Sequence, residues 1–276
     1  MGLRINTNIA AIDAQRHLYS NQKRLQHAEE SLASGNRIVH ASDDPAGLAI
    51  SSELGAQVGS LKMAKQNASN AQSMIQIGEG GLNQISNILI RLRELAVEAA
   101  SDTVSDRDRK YLNIEAQQLT KESNRIAMST RFGHRRLLTG DAGQMVFQVG
   151  PYNSHNDEIR ANVSADATNS ALGIDGLSVA DKDSARDTLS SVDEALNRIN
   201  KMRADFGAVQ SRLQSVNSSV ETEYENVSAA RSRIADADVA YESSQLASAE
   251  VLRQAAISTL AQANTNNEAA LKLINE

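Results

Sequence analysis

The sequence predicts a mainly α fold: an elongated antiparallel coiled-coil helical bundle with one small β-hairpin. Three observations predict it. Apolar residues recur at alternating spacings of three and four along much of the chain, the pattern of helices packed along a seam. Only two prolines, Pro45 and Pro151, stand in 276 residues, so long stretches contain nothing that must interrupt a helix. Aromatic residues make up 3% of the chain and Trp is absent, so the 41% apolar content falls mainly to Ala, Leu, Ile and Val, which suit thin helix-on-helix seams better than one compact centre.

Taken in chain order, the first helix is marked by heptad spacing through Ala11, Ala14, Leu18, Asn21, Leu25, Ala28 and Leu32. Asp44-Pro45 reads as an N-cap followed by proline at the first helical position. A long register then runs from Leu61 to Ala99, with Gly78 as the only break in twelve positions. Ser105 and Asp108 have capping-box spacing ahead of a helix through Leu112, Leu119 and Ile126. From Gln144 the period changes to two: MVFQV and EIRANV, separated by the turn-rich GPYNSHND, predict a hairpin at about residues 144–163. The small, polar, glycine-bearing stretch 164–180 reads as a surface connection. A second long register runs from Ala185 to Ile234, apolar at thirteen of fifteen positions, with Arg203 and Glu223 the exceptions and a 3-3 step around Phe206 that overwinds the seam locally. At 1.5 Å per residue this helix would be roughly 75 Å long, which calls for a partner helix or a neighbouring subunit. The last stripe passes through Val239, Leu246, Ala249, Ala256, Leu260, Ala263, Ala270 and Ile274.

Both terminal stripes are narrow, so their helices are expected to be mobile until they pack against something. Residues 1–27 carry four basic side chains against one acidic, and residues 234–276 carry six acidic against two basic. The ends therefore attract one another weakly.

Composition also excludes. A net charge of −6 without a Lys/Arg run argues against nucleic acid as the main partner. With no Cys and five scattered His, no disulfide, metal-ligand spacing or cofactor motif is present. The N-terminus lacks the apolar core of a cleaved signal peptide, and no run of about 18 apolar residues exists to insert in a membrane. The expectation is a cytoplasmic protein, or one exported without a cleaved signal.

Features that invite a catalytic reading do better as structure. Asp43-Asp44 beside Pro45 reads as a helix cap rather than a carboxylate pair. Gly78-Glu79-Gly80-Gly81 lacks the strand and Lys-Ser/Thr of a phosphate loop, and reads as a close-packing or kink site. His134 beside Arg135 and Arg136 reads as a solvated loop before an anion site. Asn-x-Ser sequons at Asn67, Asn162, Asn217 and Asn226 read as surface polarity. No catalytic constellation emerges, so the chain is expected not to be an enzyme but a helical building block that polymerises through its ends.

The local strings point to a family. LASGNRIVHASDDPAGLAIS and AKQNASNAQSMIQIGEGGLNQISNILIRLRELAVEAAS strongly resemble the N-terminal region of bacterial flagellin. So do FQVG near residue 147, FGAVQSRL, ARSRIADADVAYE and LAQANTNNEAALKL. The resemblance covers residues 3–163 and 183–275. It departs from the family pattern at Phe132-Gly133-His134, at Thr265-Asn266-Asn267 and at the closing Glu276.

The resemblance implies a subunit of the bacterial flagellar filament, secreted unfolded through the flagellum's own export apparatus. It implies an inner tube domain from residues 1–44 and 235–276, and an outer coiled-coil domain from residues 45–234 that carries the hairpin. With only a short segment around 164–182 between the conserved ends, the chain resembles a minimal flagellin without large outer domains. The filament-assembly residues would be Leu18, Leu25, Leu32, Leu246, Leu260 and Ile274. The implied partners are other flagellin subunits, a flagellar secretion chaperone, the filament cap and hook-junction proteins. A further implied partner is the toll-like receptor of vertebrate hosts, whose contact motif matches Arg91, Leu95 and Glu115; those positions also suit helix-face charges and a seam leucine. A hook-filament junction protein and a cytoplasmic coiled-coil scaffold are the alternative readings.

Overall fold

A computed structural model describes the backbone of residues 7–274 and the side chains of residues 7–265. Six helices carry most of it: α1 (Ile9–Ser34), α2 (Pro45–Ala99), α3 (Asp106–Ser129), α4 (Asn169–Leu172), α5 (Lys182–Ala235) and α6 (Val239–Ile274). Four short strands, β1 (Arg131–Phe132), β2 (Arg135–Arg136), β3 (Gln144–Gln148) and β4 (Glu158–Asn162), form two antiparallel pairs. The chain divides into two compact units, Met1–Ala56 with Asn226–Glu276, and Gln57–Glu225.

Local chemistry explains the helix ends. The Asn8 side chain accepts from the Ala11 amide at the start of α1, and Gly35, at φ 70°, closes the helix in the left-handed conformation that glycine adopts without strain. Asp44 Oδ1 accepts from the Gly47 amide at 2.9 Å, capping α2 ahead of Pro45. Ser105 accepts from the Asp108 amide and donates to its carboxylate at 2.6 Å, which starts α3. At the other end of α2, the buried Arg109 of α3 donates to the carbonyls of Ala99 (2.8 Å) and Ser101 (2.9 Å) and pairs with Asp106. A guanidinium thus satisfies backbone acceptors that a helix C-terminus leaves without partners.

In the unit Gln57–Glu225, all twelve positions of the α2 register from Leu61 to Ala99 are buried. From Ala68 onward, the apolar members share one core with Ala116, Ile126 and Ala127 of α3 and with Val192, Ile199, Phe206 and Leu213 of α5. Three ion pairs, Lys65–Glu221, Glu79–Arg203 and Arg93–Asp193, show that α2 and α5 run antiparallel. The β3–β4 hairpin pairs Val146 with Arg160 at its centre and turns Met145, Ile159 and Ala161 into the core. The second pair, β1–β2, leaves no mark in the sequence pattern, because two residues per strand are too few to show a period. Gly133, at φ 59°, makes its turn possible.

The expectation of a surface connection at 164–180 is corrected. Ala165, Ala167, Leu172, Ile174 and Val179 are all buried in the same core. Their small side chains at irregular spacing fill gaps between helices, so no periodicity announces them. Arg198 of α5 donates to the Ala171 carbonyl and anchors the segment.

In the other unit, α1 packs against α6. The loops that follow α1 and α5 are joined by backbone bonds from Arg37 to Ala235 (2.7 Å) and from Ala237 to Gly35 (2.9 Å), and the Arg37 guanidinium adds two bonds to the Ile234 carbonyl.

Candidate functional site on the terminal helices

The α1–α6 contact is an alanine seam. Ala11, Ala14 and Ala28 of α1 and Ala249, Ala256 and Ala263 of α6 are buried there, and Asn8 Nδ2 donates to the Ala263 carbonyl at 2.9 Å. The leucines of the stripe flank that seam: Leu18, Leu25, Leu32, Leu246 and Leu260 are each half-buried. Ile274 ends α6, and its side chain lies outside the described residues. Glu242, a break in the apolar stripe, is buried beside a shallow recess also lined by Lys23, Arg24, His27 and Tyr241.

Larger apolar side chains lie off the seam. Ile9, Ile12 and Tyr19 of α1 and Val239, Tyr241, Val251, Leu252 and Ile257 of α6 are exposed, Val251 to 66%. A helix pair apolar on both its inner and outer faces is built for a site where something else covers the outside. Val239 heads the C-terminal stripe and is nevertheless left uncovered at the first turn of α6; the others fall beside the heptad positions, where their signal is a second run of large apolar residues next to the alanines.

The three candidate receptor residues lie in the unit Gln57–Glu225. Arg91 on α2 and Glu115 on α3 are joined by Nη2–Oε1 at 2.8 Å, with the Arg91 Nε also donating to Glu115 and Nη1 to Glu94 at 3.1 Å. The hydrogen bonds to Glu115 and then Glu94 raise the Arg91 pKa above its ordinary value, so its charge is permanent. Arg91 and Glu115 are about half exposed. Leu95 is fully buried and packs in the core with Leu92, Ala96 and Ala99. The geometry therefore brings the two charges together at the surface and sets the leucine beneath it. Among the described residues no group of three or more His, Cys, Asp or Glu is arranged to hold a metal, and no helix is long and apolar enough to cross a membrane.

Comparison with known proteins gives the family. The model of the bacterial flagellin N-terminal helical region matches residues 5–142, and that of the bacterial flagellin C-terminal helical region matches residues 189–274. The chain belongs to the bacterial flagellin family. Among curated flagellins and filament proteins, a flagellar filament core protein of Brachyspira hyodysenteriae is 38% identical over 98% of this chain and 99% of its own. The flagellin of Halalkalibacterium halodurans is 36% identical over 98% of this chain and 99% of its own. The solved flagellin of Bacillus cereus superposes with a TM-score of 0.50 at 28% identity, covering 60% of this chain and 94% of that one. Flagellins are a structural family rather than an enzymatic one, and this flagellin is a structural subunit of the flagellar filament. The two matched regions include α1 and α6, the helices whose outer faces are left apolar.

Proposed function

We propose that this flagellin polymerises through the outer face of its α1–α6 pair, with residues 1–44 and 235–276 forming the inner tube of the filament and residues 45–234 its outer layer. The observation that carries the reading is the exposure of Ile9, Ile12, Tyr19, Val251, Leu252 and Ile257 on helices whose own seam is made of alanine. Burying such residues against neighbouring copies supplies the apolar area that the pair lacks alone, and so links the order of the ends to assembly. The same apolar ends, before assembly, suit capture by a flagellar secretion chaperone. Export by the flagellum's own apparatus would then deliver the chain to the outside, where the hook-junction proteins and the filament cap receive it.

Leu260→Asp tests the surface. Leu260 is half-buried in the single chain. Its carboxylate replacement is tolerated by a free monomer and costs several kcal/mol in a closed seam. The variant is expected to remain folded by circular dichroism and to stay in the supernatant when the parent pellets as filament. Pelleting like the parent removes α6 from the assembly surface.

For the vertebrate toll-like receptor, the Arg91–Glu115 pair is the proposed contact, with Leu95 holding α2 in place under it. Monomer should signal better than filament in a receptor reporter assay, and Arg91→Ala and Glu115→Ala should each lower potency at unchanged helicity. Equal potency of all three returns the pair to an ordinary helix-face ion bridge.

A further inference from the structure

The long seam between α2 and α5 has one irregular point. At Gly78 the ring of Phe206 lies so close that a β-carbon would stand 2.6 Å from its Cε2 atom, nearer than any side chain tolerates. Phe206 is 2% exposed and heads the fully buried side chains by volume. It also sits where the α5 stripe takes two consecutive three-residue steps, from Arg203 to Phe206 to Val209, instead of alternating three and four. One helical turn along α2, Gly81 is matched just as closely by another element: a β-carbon there would stand 2.8 Å from Leu138 Cδ1 and from Thr130 Oγ1. A single turn of α2 is therefore notched on two adjacent faces, one filled from α5 and one from the residues flanking the β1–β2 hairpin.

The charges around this point are displaced in the same way. Lys65, Glu79 and Arg93 are evenly spaced along α2, two heptads apart. Their partners Glu221, Arg203 and Asp193 are not: Arg203 lies about one helical turn from the midpoint of the other two. Its Nη2 reaches Glu79 Oε1 at 3.3 Å, and its Nε is buried without a partner. A charged residue in a seam position, with an unsatisfied donor, costs stability that a plain Leu or Ala would not. Elsewhere the seam is repetitive, with Ala, Leu, Ile and Val at every step but Glu223, and repetition of that kind specifies axial register poorly. One bulky ring that fits only a side-chain-free notch specifies it well, in the way that a single irregular seam residue fixes the register of a coiled coil.

We propose that Phe206 seated on Gly78 is the register pin of the α2–α5 pair, a pair of positioning residues that fixes the axial setting of α5 along α2 and thereby the waveform of the filament. The second half of this statement rests on the filament reading above. The first half concerns the monomer alone.

The test compares Gly78→Ala, Phe206→Leu, the double variant and Gly80→Ala in the full chain. Gly80 is on the same helix two residues away with nothing within 4 Å of its β-carbon position, so it controls for the intrinsic preference of helices for alanine. Gly80→Ala is expected to raise the monomer Tm by about 2 °C and leave the filament waveform as in the parent. Gly78→Ala is expected to lower Tm by about 4 °C or more despite the same chemical change. Adding Phe206→Leu to it should recover most of that loss, because the shorter side chain vacates the ring position. Under electron microscopy, filaments of Gly78→Ala should be straight or of altered pitch, and those of the double variant should mix several pitches, since packing is restored without the pin. Independent, additive Tm effects of the two substitutions overturn the pin whether or not filaments form. Coupled Tm effects with parental waveform in every variant confine the pin to the monomer and overturn its role in filament shape. Failure of the parent itself to form filaments counts against the assembly reading, and the coupling in the monomer still decides the pin.

Discussion

α1–α6 and α2–α5 are both antiparallel helix pairs written with heptad spacing, yet the apolar residues buried in one are all alanine, whereas the other adds leucine, isoleucine and phenylalanine to its alanines. A buried methyl contributes about 0.8 kcal/mol, whereas a fully buried Leu or Ile side chain contributes roughly 1.5–3 kcal/mol. Ordering the backbone costs about 1–2 kcal/mol per residue in either pair. The α2–α5 pair, with α3, the hairpins and the 163–180 segment packed on it, meets that cost within the chain. The α1–α6 pair keeps its larger apolar residues on the outside, where they add little to its stability within the chain; the proposed assembly would cover them. Spacing sets where helices touch; the volume of the side chain at each touch sets whether the contact is sufficient on its own.

The sharpest way to break the contrast is the same truncation in each pair. Leu89→Ala, at a fully buried position, is expected to cost about 3–4 kcal/mol in the urea unfolding of the monomer. Leu25→Ala, at a half-buried one, is expected to cost under about 1 kcal/mol there and to weaken polymerisation instead. Equal monomer losses would mean that α1 is as fully supported within the chain as α2.

Arg109 extends the contrast to helix ends. Arg109→Met keeps the apolar stem but strips the carbonyls of Ala99 and Ser101 of their donors, and is expected to cost about 1–3 kcal/mol. The loss should appear in thermal unfolding and be insensitive to salt, because buried backbone acceptors, rather than the exposed Asp106, carry it. A loss abolished by added salt would assign the effect to the Asp106 ion pair.

The smallest effect concerns acid. The Asp43 carboxylate is held below its ordinary value of 3.8, chiefly by the His40 amide, with further help from His27, the Val39 amide and His40. Because the folded-state value is depressed, its contribution is present above pH 3.8 and is lost as pH falls through the lower folded-state value. The Val39 and His40 amide resonances should therefore shift together in strongly acidic solution, with a midpoint below 3.8, and the transition should vanish in Asp43→Asn. A midpoint at or above 3.8 would show that these amides do not hold the carboxylate.

Much of this was legible from side-chain spacing. The α2 register runs through twelve positions that are all buried, and its one break, Gly78, is the close-packing site that a lone glycine in a stripe announces. The caps at Asp44 and Ser105 and the hairpin at Gln144–Asn162 were readable from short-range chemistry. Three things were not. Ala165, Ala167 and Ile174 enter the core from irregular backbone, where no period exists to detect. Tyr19 and Val251 lie beside the heptad rather than on it, so a search for one stripe passes over them. Arg91 and Glu115 meet across two helices, and only the fold shows that Leu95, one turn from Arg91, points inward instead of joining them.

The burial of Ala165, Ala167, Leu172, Ile174 and Val179 from the 164–180 segment governs where foreign sequence can be added to this protein. A peptide grafted at Gly173 would have to pry Leu172 and Ile174 from full burial and would unmake the unit around them. The turn between β3 and β4 behaves differently, because Tyr152 and Asn153 are exposed and the strands on either side are held by their own ladder. An epitope inserted between those two residues would be carried outward by a hairpin that is already folded. Repeated on every copy in a polymer, that single loop would become a dense, regular array for display.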